Sequence, residues 1–315
     1  MRNKLRVLIT GCGGDIGQSI GKILKSKPEL FSLVIGADLH KDHAGKFIFD
    51  ECHIVPRCHE DSYQSEVLDL IEKNEIDIVI PISEPELRQM EKHSYQDDFF
   101  GRPVIMANQK ALQVGFDKKI TSDFLALYTL PFPDTQLISE YNKSTFPVLI
   151  KSRDGSGSKS IHVVNTQDEM DLFQRIYPEF IVQEYLPNDA GEYTCGLFRS
   201  ASGEIRDIIL KRKLMGGFSG YGIRKENFKI SQLLHQIAVL LDLRGSINVQ
   251  LKLVHGTPVI FEINPRFSST VLFRHMMGYE DVIWSIQDKL NMPLDSYQIN
   301  HSIKNFYKGF SEYVD

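Results

Sequence analysis

Asn248-Val249-Gln250 and Phe261-Glu262-Ile263-Asn264-Pro265-Arg266 lie on two predicted strands, Gly245 to Val254 and Pro258 to Ile263, joined by His255-Gly256. Side chains two apart on a strand share a face, so Glu262 and Asn264 project together. Gln250 can face them from the neighbouring strand. Carboxylate and amide oxygens are hard ligands suited to Mg²⁺. Arg266, two residues further on, is placed to take a phosphate oxygen. The plain alternative is the polar outer face of an antiparallel sheet. An acid, an amide and an Arg in strict alternation, between apolar Phe261 and Ile263, argue against it.

Upstream, Phe146 to Lys151 reads as a strand running into Ser152-Arg153-Asp154-Gly155-Ser156-Gly157-Ser158-Lys159-Ser160, and Ser160 to Val164 returns as a second strand. Backbone N–H groups of such a loop can close over phosphate oxygens. Lys151 at a strand end is a fixed cation. No Gly-Lys-Ser/Thr leads into a helix, so this is not a P-loop, and a plain hairpin turn is an equal reading of this segment alone. Beyond it, Glu169 to Ile176 reads as a helix, Phe180 to Leu186, Tyr193 to Arg199 and Ile205 to Leu210 as strands, and Ser231 to Leu241 as a helix. Lys211, Arg212 and Lys213 with the loop Gly216 to Tyr221 form a basic edge that could hold a substrate carboxylate, with Arg212 as the preferred anchor. A solvated charge run is an equal reading.

The first third alternates strands (Leu5 to Thr10, Leu33 to Asp38, Ile76 to Pro81) with helical periods (Ile16 to Leu24, Tyr63 to Lys73). That pattern implies a parallel sheet covered on both faces. The first turn, Gly11-Cys12-Gly13-Gly14-Asp15-Ile16-Gly17, has the glycine spacing of a nicotinamide-dinucleotide loop, and Asp38 ends the next strand. A reductase is therefore a rival reading; Tyr221 and Lys225 have the Tyr-x-x-x-Lys spacing that the reductase family with this loop uses for proton transfer, but they lie late, after a Gly-rich loop. Ser83-Glu84 sits at a strand's carboxyl end, where ligands bind in open sheets.

A chain of 315 residues with 42% hydrophobic and 24% charged residues has the composition of a globular protein. A net charge of -5 gives no global signal for nucleic acid. No stretch approaches the roughly 20 apolar residues of a membrane span. Four cysteines are too few for a disulfide scaffold in a chain this long, which suits a cytoplasmic setting. Cys52-His53 and Cys58-His59 have four ligand atoms, but loop residues beside a short strand are the better reading.

Taken in order, the Gly-rich first turn, Asp117-Lys118, Pro147 to Lys151 with its glycine loop, Val182-Gln183-Glu184-Tyr185-Leu186, Gly191-Glu192-Tyr193-Thr194, Asn248 to Gln250 and Glu262 to Arg266 resemble the ATP-grasp superfamily. The resemblance is to its carbamoyl-phosphate-synthase-like branch and runs from about Val7 to Phe273. It implies an α/β chain: a doubly wound, Rossmann-like pre-ATP-grasp domain over 1–110, then a two-lobed α+β ATP-grasp domain. The small lobe with its lid covers 111–188, and the large lobe with the metal site covers 189–315.

By that resemblance Lys118 and Lys151 hold ATP phosphates, and Gly155, Ser156, Gly157 and Ser158 form the lid. Gln183, Glu184, Tyr185 and Leu186 form the adenine hinge, and Glu192 binds ribose. Gln250, Glu262 and Asn264 ligate Mg²⁺, or Mn²⁺ in its place, and Arg266 binds phosphate. The implied chemistry is a carboxylate attacking the γ-phosphate to give an acyl phosphate, which an amine then displaces. The implied partners are a small carboxylic acid and an amine, with neither nucleic acid nor membrane, and a homodimer is the reasonable prior. A non-catalytic nucleotide-binding module stands beside the ligase and the reductase as a third reading.

Overall fold

The computed structural model describes residues 4–95, 97–155, 161–187 and 191–314. Four parallel strands, β1 (Leu5–Thr10), β2 (Phe31–Asp38), β3 (Glu51–Ile54) and β4 (Ile78–Ile80), form a first sheet in the order β3-β2-β1-β4. Helix α1 (Asp15–Lys25) connects β1 to β2, α2 (Tyr63–Lys73) connects β3 to β4, and α3 (Glu84–Lys92) follows β4. A parallel sheet covered on both faces selects continuous apolar strands. Accordingly Val7, Leu8 and Ile9 are all fully buried. A short hairpin of β5 (Asp98–Phe99) and β6 (Arg102–Pro103) leads to α4 (Gln109–Phe116) and α5 (Lys118–Leu127).

A second, antiparallel sheet contains β7 (Thr135–Leu137), β8 (Val148–Lys151), β9 (Ile161–Val164) and β10 (Ile181–Glu184), in the order β7-β10-β8-β9, with α6 (Gln167–Ile176) packed on it. The hairpin expected around the glycine loop is the β8–β9 pair. The third sheet is antiparallel and largest: β11 (Glu192–Arg199), β12 (Ile205–Met215), β13 (Phe218–Lys225), β14 (Gly245–Val254), β15 (Thr257–Asn264) and β16 (Asn305–Tyr307), in the order β15-β14-β11-β12-β13-β16. Helices α7 (Phe228–Leu240), α8 (Val271–Met276) and α9 (Asp281–Lys289) complete the chain.

Packing does not follow the linear order. Helices α4 and α5 share a core with α7 beneath the third sheet, through Leu112, Phe124, Leu234 and Ile263. Phe267, Val271, Val282 and Ile286, from the segment after β15, join α1 in covering one face of the first sheet. Both exchanges hold the third sheet against the first, and the strand pair Gln250/Glu262 sits at that junction. No helix of the described residues is long and apolar enough to cross a membrane.

One buried ion pair locks the junction. Arg274 and Asp281 have side chains 0% and 1% exposed, with Nη1 and Oδ2 3.4 Å apart. Arg274 Nη2 donates to Ser268 Oγ at 2.6 Å, and Ser246 Oγ donates to Asp281 Oδ2 at 2.8 Å. The guanidinium occupies space that only glycine leaves: a Cβ at Gly196 would sit 2.2 Å from Arg274 Nη1. Removing one member of such a pair strands a buried charge. Asp281→Ala is therefore expected to cost about 3–5 kcal/mol, measured by urea unfolding followed through Trp284. A loss below about 1 kcal/mol would show that the pair does not hold the junction.

Candidate active site

All three sheets and the loops between them enclose one cleft of about 1270 Å³. Its middle is the strand pair read from the sequence. Gln250 on β14 lies directly opposite Glu262 on β15, and Asn248 lies opposite Asn264. Gln250, Glu262 and Asn264 all line the cleft, so the structure brings the three together. A register shift follows Gln250, yet Lys252 also lines the cleft. Asn248 is buried; its Oδ1 accepts from Thr194 Oγ1 at 2.9 Å, and its Nδ2 has no partner.

Cations gather above this pair. Lys118, at the first position of α5, donates through Nζ to Gly155 O at 2.8 Å and stands 3.9 Å from Glu262 Oε1. Asp117 places it there: its carboxylate caps α5 through the N–H groups of Lys119 and Ile120 and also accepts from Arg153. Lys151 ends β8 and is buried, with Nζ donating to Phe261 O at 3.3 Å. Burial pushes its ammonium down to about 8; Glu262 pulls the other way and Lys118 adds to the depression. Arg266 is likewise held below its ordinary value by burial, against the opposing charges of Glu84 and Glu262.

Among the described residues neither Lys151 nor Arg266 has a carboxylate within ion-pair distance. Buried cations without a paired anion are costly, and a polyanionic ligand would relieve that cost. The donor set therefore fits a triphosphate with a hard cation: oxygens of Gln250, Glu262 and Asn264 on one side, ammonium and guanidinium groups on the other.

The far end of the cleft is the β10 edge. Glu184 and Leu186 line it together with Gln183, whose Nε2 donates to Thr135 Oγ1 at 2.9 Å. The Glu184 N–H donates to Asp134 O, so that amide is already used. Lys252 Nζ donates to Leu186 O at 3.2 Å and Pro187 O at 3.4 Å, tying β14 to this edge. Tyr185 is half-buried and lies outside the lining. Gly155 lines the cleft with φ +79°, while Ser156, Gly157 and Ser158 lie outside the described residues.

Several sequence expectations are corrected. Strand β12 does not stop at Leu210; it runs to Met215, and Gly216-Gly217 is only the turn into β13. There is thus no separate basic edge. Arg212 faces the cleft, but its Nε and Nη2 both donate to Glu192 Oε1, and Nη2 also donates to Gln250 Oε1 at 2.8 Å. It buttresses Glu192 and Gln250 instead of standing free as a carboxylate anchor. Tyr221 and Lys225 lie four apart on strand β13, which separates them by roughly 13 Å along the chain at strand rise. Neither lines the cleft beside the Gly turn. The Asp38 carboxylate accepts the N–H of Gly13 at 2.8 Å, so it braces the turn itself. Cys52-His53 and Cys58-His59 do not converge: His53 pairs with Glu51, while Cys12, Asp38 and His43 cluster within 4.8 Å.

Lys252, Thr10 and Glu86 are among the cleft residues that escaped the sequence reading. Lys252 continues the alternation of Asn248 and Gln250 along β14, a signal that was available. Thr10 and Glu86 come from a strand end and a helix of the first sheet, and nothing in their local pattern shows that they meet.

Residues 177–306 match the family described as ATP-grasp in the biosynthetic pathway with Ter operon, and residues 7–105 match the PylC-like N-terminal domain. A carbamoyl-phosphate synthase from Methanobrevibacter smithii is 25% identical over 145 residues, 44% of this chain and 38% of that protein. The chain thus matches well under half the length of that relative. N5-carboxyaminoimidazole ribonucleotide synthetase from Thermotoga maritima superposes with a TM-score of 0.69 at 19% identity, covering 94% of this chain and 78% of that one. An L-amino acid ligase from Bacillus licheniformis superposes with a TM-score of 0.69 at 16% identity, covering 92% and 75%. Residues 177–306 thus match an ATP-grasp family, and the chain shares the fold of these solved structures along nearly its whole length.

Proposed function

We propose that the chain is a Mg-ATP-dependent ligase that activates a small carboxylic acid and joins it to an amine. The observation that carries this reading is the opposition of Gln250 and Glu262 in one register pair, beside Asn264 and beneath the buried Lys151 and the half-buried Arg266. ATP with Mg²⁺ would supply the phosphoryl group that activates the acid. In this reading Glu262, Asn264 and Gln250 hold the cation, and Lys118, Lys151 and Arg266 hold phosphate oxygens. Glu184 and Leu186 receive the base, Glu192 faces the ribose, and Gly155 belongs to the covering loop. Arg212 keeps Glu192 and Gln250 in position. Catalysis of this kind is positioning and charge neutralisation, so no protein nucleophile is required. A synthetase and an L-amino acid ligase among the solved structures of the same fold support this reading.

MgATP is expected to raise the melting temperature, with about 2.7 kcal/mol of stabilisation at a hundredfold excess over Kd. NADPH is expected to leave it unchanged. Glu262→Gln removes the one carboxylate of the metal set and should reduce acid-dependent ADP release by about 10²–10³-fold. Stabilisation by NADPH in preference to MgATP, or full turnover by Glu262→Gln, would overturn the proposal.

Lys151 gives this reading a pH signature. Its ammonium is charged below about 8 and neutral above. Phosphates bind the charged form, so ATP affinity should weaken as pH rises from 7 to 9.5, and Lys151→Met should flatten that slope. Stability runs the other way. Between about 8 and the ordinary lysine value the unfolded chain binds the extra proton, so stability rises with pH across that window. Calorimetric titration of ATP against wild type and Lys151→Met checks the first expectation.

A further inference from the structure

The cleft is longer than a nucleotide and metal require. Past Asn264 and Arg266 it continues over the carboxyl ends of β1, β2 and β4, where Thr10, Asp38, Tyr63, Ser83 and Glu86 line it. At the floor of this arm stands Glu86, only 3% exposed. Thr10 Oγ1 donates to its Oε2 at 2.5 Å, and the Tyr63 hydroxyl donates to its Oε1. Ser83 adds a further hydrogen bond.

No lysine, arginine or histidine pairs with Glu86 among the described residues. The arm's other carboxylates are engaged. Asp38 accepts from the N–H groups of Gly13 and Leu39, both at 2.8 Å, and Asp15 pairs with Lys308. A buried carboxylate held only by hydroxyls lacks a counter-charge, and its most favourable visitor is a cation. Burial, with Asp38 adding its charge, holds the Glu86 carboxyl above its ordinary value. Tyr63 and Cys58, which face it, are pushed up as well, so both remain neutral beside it at neutral pH. Among the described lining residues of this arm Arg57 is the one Lys or Arg, whereas the opposite arm presents Lys118, Lys151, Arg212, Lys252 and Arg266. The two arms therefore differ in the ligand charge they suit.

We propose that this arm is the amine subsite, with the Glu86 carboxylate binding the ammonium group of the incoming substrate and accepting the proton that it loses before attack. The inference rests on the ligase reading above and assigns its second substrate a place. The step balances as follows. The ammonium gives one proton to Glu86, and the freed nitrogen lone pair attacks the acyl carbon. The C–N bond forms, and the C–O bond to phosphate breaks with its electron pair leaving on phosphate. The second N–H proton departs with the phosphate, and Glu86 returns its proton to solvent. Thr10 and Tyr63 orient the carboxylate throughout. The chemical class that fits is a primary amine protonated at neutral pH, as in an amino acid or amino sugar.

The test compares full-length wild type, Glu86→Gln and Glu86→Asp. ADP release is measured with the twenty common amino acids as acid donors. Two nucleophile sets are supplied: hydroxylamine, which is uncharged near pH 8, and the primary amines of amino acids and amino sugars. Expected is a loss of amine-supported turnover in Glu86→Gln at least a hundredfold greater than the loss of hydroxamate formation, with the amine KM raised and partial recovery in Glu86→Asp. The MgATP-induced rise in melting temperature should persist in both variants, showing that they fold. Equal losses with both nucleophiles, or no loss with amines, would overturn the amine subsite. A wild type that binds MgATP yet releases no ADP with hydroxylamine would instead strike the ligase reading.

Discussion

A buried lysine and a half-buried arginine, neither paired with a carboxylate among the described residues, govern the centre of this molecule. The closure of the third sheet against the second and the first buries Lys151 and half-buries Arg266, and the described residues pair neither with a carboxylate. Leaving them so costs stability that the surrounding core must offset. Their neighbours show why the arrangement is tolerated. Glu262 stands close enough to moderate the charge of Lys151 and Arg266, and Lys118 is anchored to the Gly155 carbonyl. The site is preorganised for several negative oxygens at once, the requirement for stabilising transferred phosphoryl charge without reorganisation at the moment of reaction.

Rigid supports hold those groups in place. Gln250 and Glu262 are opposed across two long strands at the edge of a six-stranded sheet, so their separation is set by the ladder and not by loop conformation. Arg212 reaches across β11 to fix Glu192 and Gln250 together, and Lys252 fastens the β10 edge to the same strand. Behind them Arg274 fills the space left by Gly196, and with Asp281 it carries the C-terminal helices onto the first sheet. The packing thus couples the first-sheet wall of the cleft to the strands that carry its polar centre.

The same coupling gives the cleft its two chemical characters. One arm is lined by lysines and arginines from the second and third sheets. The other is lined by carboxylates and hydroxyls at the carboxyl ends of the parallel strands, where open α/β sheets bind ligands. The proposed ligation would use such a division, because a polyanion and an ammonium must approach one reacting carbon from different sides.

Much of this was legible in order along the chain. Alternation at Glu262, Asn264 and Arg266, the strand ending in Lys151 before a glycine loop, and the strand–helix alternation of the first third are local patterns with a period of two or 3.6. Local pattern determines which side chains share a face, so the polar strand pair and the parallel sheet could be read directly. The sequence could not say where Arg212 would spend its charge. That depended on β12 running on past Leu210 and pairing with β11, a contact between residues twenty apart. Nor could it show Thr10, Tyr63 and Glu86 meeting, or residues 267–286 completing the core of the first sheet, since nothing local distinguishes those side chains from ordinary strand-end and helix positions. Those juxtapositions are set by the closure of one sheet on another, and only the tertiary structure decides them.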